Sequence, residues 1–136
     1  MKRNNLNTQK HNSTTCTRLR DVPDFLKGKD ITGAFVYHAG DQQLWHTNWI
    51  SPNARCYLVH SETGDSGMRF IVNGEVKTYY DPVGWSYRIF NVPQPHCVFS
   101  NCLRYSYGWR LPTVPSNKQN LNSKRLDHAE AILQIT

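Results

Sequence analysis

The chain has 136 residues, of which 38% are hydrophobic and 19% charged, and its formal net charge is +6. This length fits one domain, and no stretch reaches the ~18 consecutive apolar residues that a membrane-spanning helix needs. The first residues also lack the apolar run of a signal peptide, which favours an intracellular or viral protein over a secreted one.

The positive charge is concentrated at the N-terminus. The first twenty residues contain no acid and five basic side chains, namely Lys2, Arg3, Lys10, Arg18 and Arg20. We predict that residues 1–30 form a basic, largely disordered arm. Such an arm attracts nucleic acid, an anionic membrane or an acidic partner without sequence specificity. The alternative is a terminus that only keeps the protein soluble.

The aromatic residues are concentrated elsewhere. Fifteen of the sixteen lie between Phe35 and Trp109, and because aromatic side chains dominate core energetics, the folded core must lie in this region. We therefore predict a β domain over residues 31–112. Residues 113–136 read as a linker followed by a short helix over Ser123–Gln134, with Leu126, Ala129 and Leu133 on one side.

From Ile31 onward, short apolar segments alternate with turn residues at intervals of roughly ten residues. The predicted strands are Ala34–His38, Gln43–Ile50, Arg55–His60, Gly67–Asn73, Glu75–Tyr80, Trp85–Val92 and His96–Tyr107. Regular spacing of this kind is typical of an all-β fold. We predict an antiparallel, jelly-roll-like β-sandwich or a small barrel of about six to eight strands, with a short C-terminal helix.

The hairpin over Gly67–Tyr80 is the most specific local prediction. Asn73-Gly74 supplies two residues that tolerate positive φ, as a type I′ turn requires. A two-residue loop pairs Val72 with Glu75 and Met68 with Tyr79.

The last predicted strand alternates apolar and polar residues, with Phe99, Leu103, Tyr105 and Tyr107 forming an aromatic stripe that we assign to the core. If this strand is unbroken, Cys97 and Cys102 lie about 16 Å apart on opposite faces and cannot form a disulfide. A bend at Ser100-Asn101 would permit the pairing. Cys16 and Cys56 complete the set, and the four are either buried thiols or disulfide partners, depending on compartment.

Four histidines, His38, His46, His60 and His96, lie in or beside predicted strands. Neither they nor the cysteines have the spacing of a zinc site, so we predict no metal and no cofactor. The histidines are interpreted as polar residues beside core residues.

For function, the first hypothesis is a non-enzymatic binding or structural protein, either RNA-binding or a capsid-type subunit. Its cationic arm neutralises phosphate, and a possible homo-oligomer follows from the capsid analogy. Aromatic residues interleaved with cations in Arg104–Arg110 could extend this surface. The predicted nucleic-acid contacts are Lys2, Arg3, Lys10, Arg18, Arg20, Arg104 and Arg110.

Two alternatives remain open at this stage. One is a secreted, disulfide-stabilised module that binds glycans or a membrane through Trp and Tyr. The other is a small basic ribonuclease that works without metal, with His60 and Glu62 as bases, Arg88 (or Arg69) on the phosphate and His96 as acid.

Overall fold

A computed structural model describes residues 13–48 and 53–136. Within these ranges the chain forms ten β-strands: β1 (Thr17–Arg18), β2 (Ile31–Tyr37), β3 (Gln42–His46), β4 (Asn53–Ser61), β5 (Ser66–Val72), β6 (Glu75–Tyr80), β7 (Gly84–Val92), β8 (His96–Ser100), β9 (Arg104–Leu111) and β10 (Lys124–Arg125). Three short 3-10 helices lie at Asp24–Leu26, Ser116–Lys118 and Ala129–Gln134. No helix in the described part of the chain has the length and hydropathy needed to cross a bilayer.

The strands form two antiparallel sheets that pack face to face. The six-stranded sheet has the order β1-β2-β9-β4-β7-β10, and the four-stranded sheet has the order β3-β8-β5-β6. From β2 to β9 the chain changes sheet at every connection except the one between β5 and β6, which is the topology of a jelly roll. The prediction of an all-β sandwich is confirmed.

The hairpin between β5 and β6 is also confirmed. Val72 pairs with Glu75 and Met68 with Tyr79, and the two turn residues have positive φ, 52° at Asn73 and 80° at Gly74. A glycine at the second position suits this backbone because it has no Cβ to strain.

The predicted strand over His96–Tyr107 is wrong as a single strand, because the chain turns at residues 101–103 and changes sheet. Ser100 Oγ donates a hydrogen bond to the Cys102 carbonyl at 2.6 Å, and the Asn101 amide donates to the Asp65 carbonyl at 2.9 Å. The aromatic stripe is therefore divided. Phe99 lies in the four-stranded sheet, whereas Tyr105 and Tyr107 belong to β9 in the other sheet.

Two hydrophobic clusters cover the two faces of the six-stranded sheet. The inner core lies between the sheets and contains Tyr37, Met68, Phe70, Phe90 and Val98. The outer core covers the opposite face, where Cys56, Leu58, Tyr87, Ile89 and Trp109 pack against the chain termini. Both faces are buried, so neither has the polar alternation that would reveal it in the sequence.

The C-terminal tail completes the outer core. Leu126, Ala129 and Ile132 are buried there, and β10 pairs with β7. The helical part is shorter than the predicted Ser123–Gln134 and is a 3-10 helix over Ala129–Gln134. Leu133, predicted on the same side as Leu126 and Ala129, is 41% exposed, whereas Ile132 is buried beside those two residues.

The N-terminal segment joins both sheets. Within the predicted arm, Thr17 and Arg18 of β1 pair with β2 of the six-stranded sheet. Just before them, the Thr15 amide donates to the Gln42 carbonyl at 2.9 Å, and the Leu44 amide donates to Thr14 Oγ1 at 3.0 Å, both on β3 of the four-stranded sheet.

A buried ionic network lies between the sheets. Asp81, in the connection between β6 and β7, accepts hydrogen bonds from Arg88 and Arg104, each at 2.8 Å, and from Ser66 Oγ at 2.7 Å. Burial alone would raise the pKa of Asp81, but the two guanidinium groups hold it well below its usual range. The carboxylate is therefore charged wherever the protein is folded near neutral pH.

We predict that Asp81→Asn lowers the free energy of unfolding by about 3–5 kcal/mol, because it leaves two buried guanidinium groups without a counter-charge. Asp127→Asn is the matched control, since Asp127 is exposed and 3.9 Å from Arg125. Urea unfolding at pH 7 measures both.

The acid dependence gives a second readout of the same network. The folded pKa of Asp81 is lower than the unfolded value, so its stabilisation is present above the unfolded pKa of about 4 and is lost as pH falls below it. Wild type should lose stability over this range more steeply than Asp81→Asn. Parallel curves for the two proteins would contradict the assignment.

Candidate anion-binding cleft

A cleft of about 410 Å³ opens between the two sheets where β2, β4 and β9 face β3 and β8. We call it the cationic cleft, because its lining includes Arg18, Arg55 and Arg110 and, among the described residues, no carboxylate. Phe35, Tyr37 and Tyr57 also contribute to the lining, together with His46, Asn48 and His96.

The strand register explains why the arginines converge. Arg55 on β4 lies directly opposite Arg110 on β9, so both side chains occupy the same face of the sheet. Arg18 on β1 lies opposite Phe35 on β2, and its guanidinium lies 4.9 Å from the centre of that ring. Like charges placed opposite each other on neighbouring strands destabilise a sheet unless an anion separates them.

The protein supplies little negative charge at this end of the sandwich. Arg110 pairs with Asp30 at 2.7 Å in a partly exposed contact. Arg55 is 5% exposed and donates to Asn53 Oδ1. Among the described residues, no carboxylate oxygen lies within 4.0 Å of the Arg55 guanidinium. Burial, and to a lesser extent Arg110, lowers the pKa of Arg55, but a guanidinium stays charged in proteins.

Two histidines lie side by side in the cleft, with ring centres 4.1 Å apart. The Nδ1 atom of His46 is 2.8 Å from the Leu44 carbonyl, and that of His96 is 2.5 Å from the Gln94 carbonyl. Because a carbonyl only accepts, each Nδ1 carries the hydrogen. In the neutral rings each Nε2 is therefore an acceptor.

Asn48 is the third polar residue beside His46 and His96 in the cleft. Its Nδ2 lies 3.4 Å from His96 Nε2, so the amide donates to the acceptor nitrogen assigned above. Its backbone has a φ of 60°, a left-handed conformation that asparagine tolerates better than most residues. Burial raises the pKa of the nearby Tyr57 hydroxyl, and Arg55 and the Asn48 side chain partly offset this effect.

Burial, followed by the proximity of His46, lowers the pKa of His96 to about 3. The imidazole is consequently neutral at physiological pH, and it lies 5.3 Å from Phe90 between ring centres. His96 thus contributes a neutral imidazole to the cleft, whereas the arginines supply the charge. Among the described residues, no group of three or more His, Cys, Asp or Glu side chains could hold a metal ion.

The predicted nucleic-acid contacts are distributed unequally. Arg18 and Arg110 line the cleft, and Arg20 is exposed beyond β1. Arg104 is 1% exposed and bound to Asp81, so its guanidinium is not available to a phosphate in this structure. Lys2, Arg3 and Lys10 lie outside the described residues.

The residues named for a ribonuclease do not come together. His60 packs on Trp85, in the outer core, with ring centres 4.9 Å apart. His96 lies on the other side of the six-stranded sheet, against Phe70 and Phe90 of the inner core. Arg88 is fully buried against Asp81. Glu62 is exposed in the loop after β4. These four residues therefore do not line one common site.

The four cysteines are free thiols in the structure. Cys56 lies in the outer core, while Cys97 is on the four-stranded sheet and Cys102 is in the turn that follows it. Although the strand does break at the position that would have permitted a disulfide between Cys97 and Cys102, the two remain unbonded.

Sequence reasoning missed Arg55, His46, Asn48 and Tyr57 as a group. One local signal was present, since Arg55 and Tyr57 are two residues apart on a predicted strand and must share a face. Their convergence with β3 depends on sheet-to-sheet packing, which no local spacing records. Comparisons of the chain with protein-family models, curated proteins and solved structures find no match.

The depressed pKa of His96 predicts an acid-dependent loss of stability. The unfolded chain gains a proton at this residue as pH falls below about 6.5, whereas the folded protein does not. The contribution of neutral His96 to the free energy of unfolding is therefore fully present above pH 6.5. Below pH 6.5 this contribution declines by up to ~1.4 kcal/mol per pH unit.

Histidine ring NMR and urea unfolding from pH 7 to 5 test this prediction. We expect the His96 ring signals to show no titration in this range, and His96→Phe to lose less stability than wild type as pH falls. A His96 titration midpoint near 6.5 would refute the prediction.

Proposed function

We propose that this protein is a non-enzymatic nucleic-acid-binding protein, either an RNA-binding protein or a capsid-type structural subunit. In this proposal, the cationic cleft and the basic N-terminal arm neutralise phosphate groups together. The observation that carries the proposal is the opposition of Arg55 and Arg110 on the inner face of the sheet, with no carboxylate among the described cleft-lining residues.

The chemistry of guanidinium groups supports a phosphate ligand. Arginine presents a planar array of donors that matches phosphate oxygens, and it is more weakly hydrated than lysine. A buried, uncompensated guanidinium is costly. Arg55 is therefore stabilised when an anion enters the cleft, and the two neighbouring arginines can share the same anion.

The course of the chain supports a role for the arm. Ser13, the first described residue, accepts a hydrogen bond from Gln42 Nε2 at 2.7 Å through its carbonyl. Five residues later, Arg18 lines the cleft. The sequence that carries Lys2, Arg3 and Lys10 thus leads directly into a segment that borders the arginine cluster.

The topology is compatible with the proposal and does not select it. Jelly-roll sandwiches occur in capsid subunits, lectins and cupins, and a fold by itself does not assign a function. The charge distribution favours a phosphate ligand over a neutral glycan, because a glycan would leave the buried Arg55 without an anionic group in contact.

We predict that the triple variant Lys2→Gln, Arg3→Gln, Lys10→Gln binds single-stranded RNA more weakly than wild type. The slope of log K against log salt should become less steep by up to about 2, since each lost phosphate contact removes ~0.7 on a single strand. Fluorescence anisotropy with a labelled oligonucleotide between 50 and 200 mM salt measures both quantities.

The matched control is Lys118→Gln, Lys124→Gln, Arg125→Gln, which removes the same charge from exposed positions in the C-terminal tail. For this control variant, the slope of log K against log salt should stay close to the wild-type value. If the two triple variants match each other in affinity and slope, net charge alone explains binding and the arm has no specific part. Absence of RNA binding by the wild type would end the proposal.

A further inference from the structure

We infer that the cationic cleft is a pocket for one unpaired nucleotide, with the base inserted between the sheets and the phosphate on the arginines. The ligand is a nucleoside phosphate, supplied either by a single strand or by a free mononucleotide. For the strand as its source, the inference rests on the function proposed above.

The position of the cleft limits what can enter it. Packed sheets lie about 10 Å apart, and a duplex whose major groove alone is about 12 Å wide cannot fit between them. The cleft volume of about 410 Å³ falls within the range of small-molecule pockets, roughly 300–1,000 Å³. A single nucleotide is therefore admitted and a duplex excluded.

The walls of the cleft divide into two chemical zones. Arg18 and Arg110 are solvent-accessible and supply charge at the opening, with the Arg18 guanidinium over the Phe35 ring. Deeper in the cleft, the buried side chains of Met68 and Val98 supply an apolar surface. Inorganic phosphate or a carboxylate would use the first zone and leave the second empty.

The deep zone also carries the polar groups that a base edge requires. The side-chain amides of Asn48 and Gln43 and the Nε2 atom of His46 can each hydrogen-bond the edge of a base. Proteins recognise unpaired bases by such contacts together with stacking on aromatic or guanidinium planes. Phe35 and Tyr57 offer aromatic surfaces in the same cleft.

Methyl NMR of the full chain tests entry of the base. Met68 and Val98 lie in the deep zone, whereas Ile132 lies in the outer core and is the internal control. Addition of adenosine or uridine 5′-monophosphate should shift the Met68 and Val98 methyl signals and leave Ile132 unchanged. Inorganic phosphate alone should shift neither methyl group. Phosphate shifts equal to those of the nucleotides would overturn the proposal.

A pair of asparagine substitutions tests recognition of the base. Asn48→Gly removes the amide while preserving a backbone conformation that glycine adopts readily. Asn73→Gly makes the same change at the hairpin turn, where φ is also positive. For a single-stranded oligonucleotide we expect Asn48→Gly to weaken binding roughly tenfold with an unchanged salt slope, and Asn73→Gly to bind as wild type.

Arg18→Gln should show the opposite signature, namely a reduced salt slope, because Arg18 is assigned to phosphate. A blunt duplex of the same length should leave the Met68 and Val98 methyl signals unshifted. If the duplex shifts them as much as the single strand does, the pocket does not take an unpaired base.

The outcomes separate this inference from the function proposed above. If RNA binds and depends on the arm, but no nucleotide shifts the two methyl groups and both asparagine variants bind equally, the pocket is overturned and the function stands. If mononucleotides shift the methyl groups and no oligonucleotide binds, the pocket stands with a free nucleotide as its ligand, and nucleic-acid binding fails.

Discussion

The sandwich depends on one buried carboxylate. Asp81 binds Arg88 of β7, Arg104 of β9 and Ser66 of β5, so a single side chain connects both sheets. Arg88 also donates to the Leu121 and Tyr79 carbonyls at 2.7 and 3.0 Å, which ties the C-terminal tail and β6 to the same point. Polar networks of this kind rigidify a core when their members are paired, and they become a liability when one member is lost.

On the inner face of the six-stranded sheet, the arginines at the two ends have different counter-charges. Arg88 and Arg104 receive their counter-charge from Asp81, within the chain. At the opposite end of β9, Arg110 faces Arg55, and the described cleft lining offers no carboxylate. The same sheet thus contains one pair of arginines that shares a buried carboxylate, and a second pair of which Arg110 binds the partly exposed Asp30 while Arg55 has no carboxylate oxygen within 4.0 Å among the described residues. Both pairs share β9, which carries Arg104 at one end and Arg110 at the other.

Local patterns were sufficient to predict most of the central strands, the Asn73-Gly74 hairpin and the sandwich, because each depends on alternation or turn chemistry within a few residues. The two-residue strands β1 and β10 carry no such pattern and were not predicted. The turn at residues 101–103 was only an alternative to an unbroken strand, since Leu103 and Tyr105 continue the alternation of β8 across the break. Arg104 was predicted as a nucleic-acid contact, but it is buried, where Asp81, 23 residues away in the chain, and the Tyr37 ring compensate its charge. The cleft could not be predicted because its residues converge from strands that are distant in the chain.

The segment from Ser13 to Leu19 has a mechanical consequence. Its first residues bond to β3 of one sheet, and Thr17, Arg18 and Leu19 bond to β2 of the other. A pulling force applied to the chain before Ser13 would therefore be transmitted first to the edge of the four-stranded sheet and then across to the six-stranded sheet. Several hydrogen bonds would share that load along the strand direction, and the two layers would resist it together.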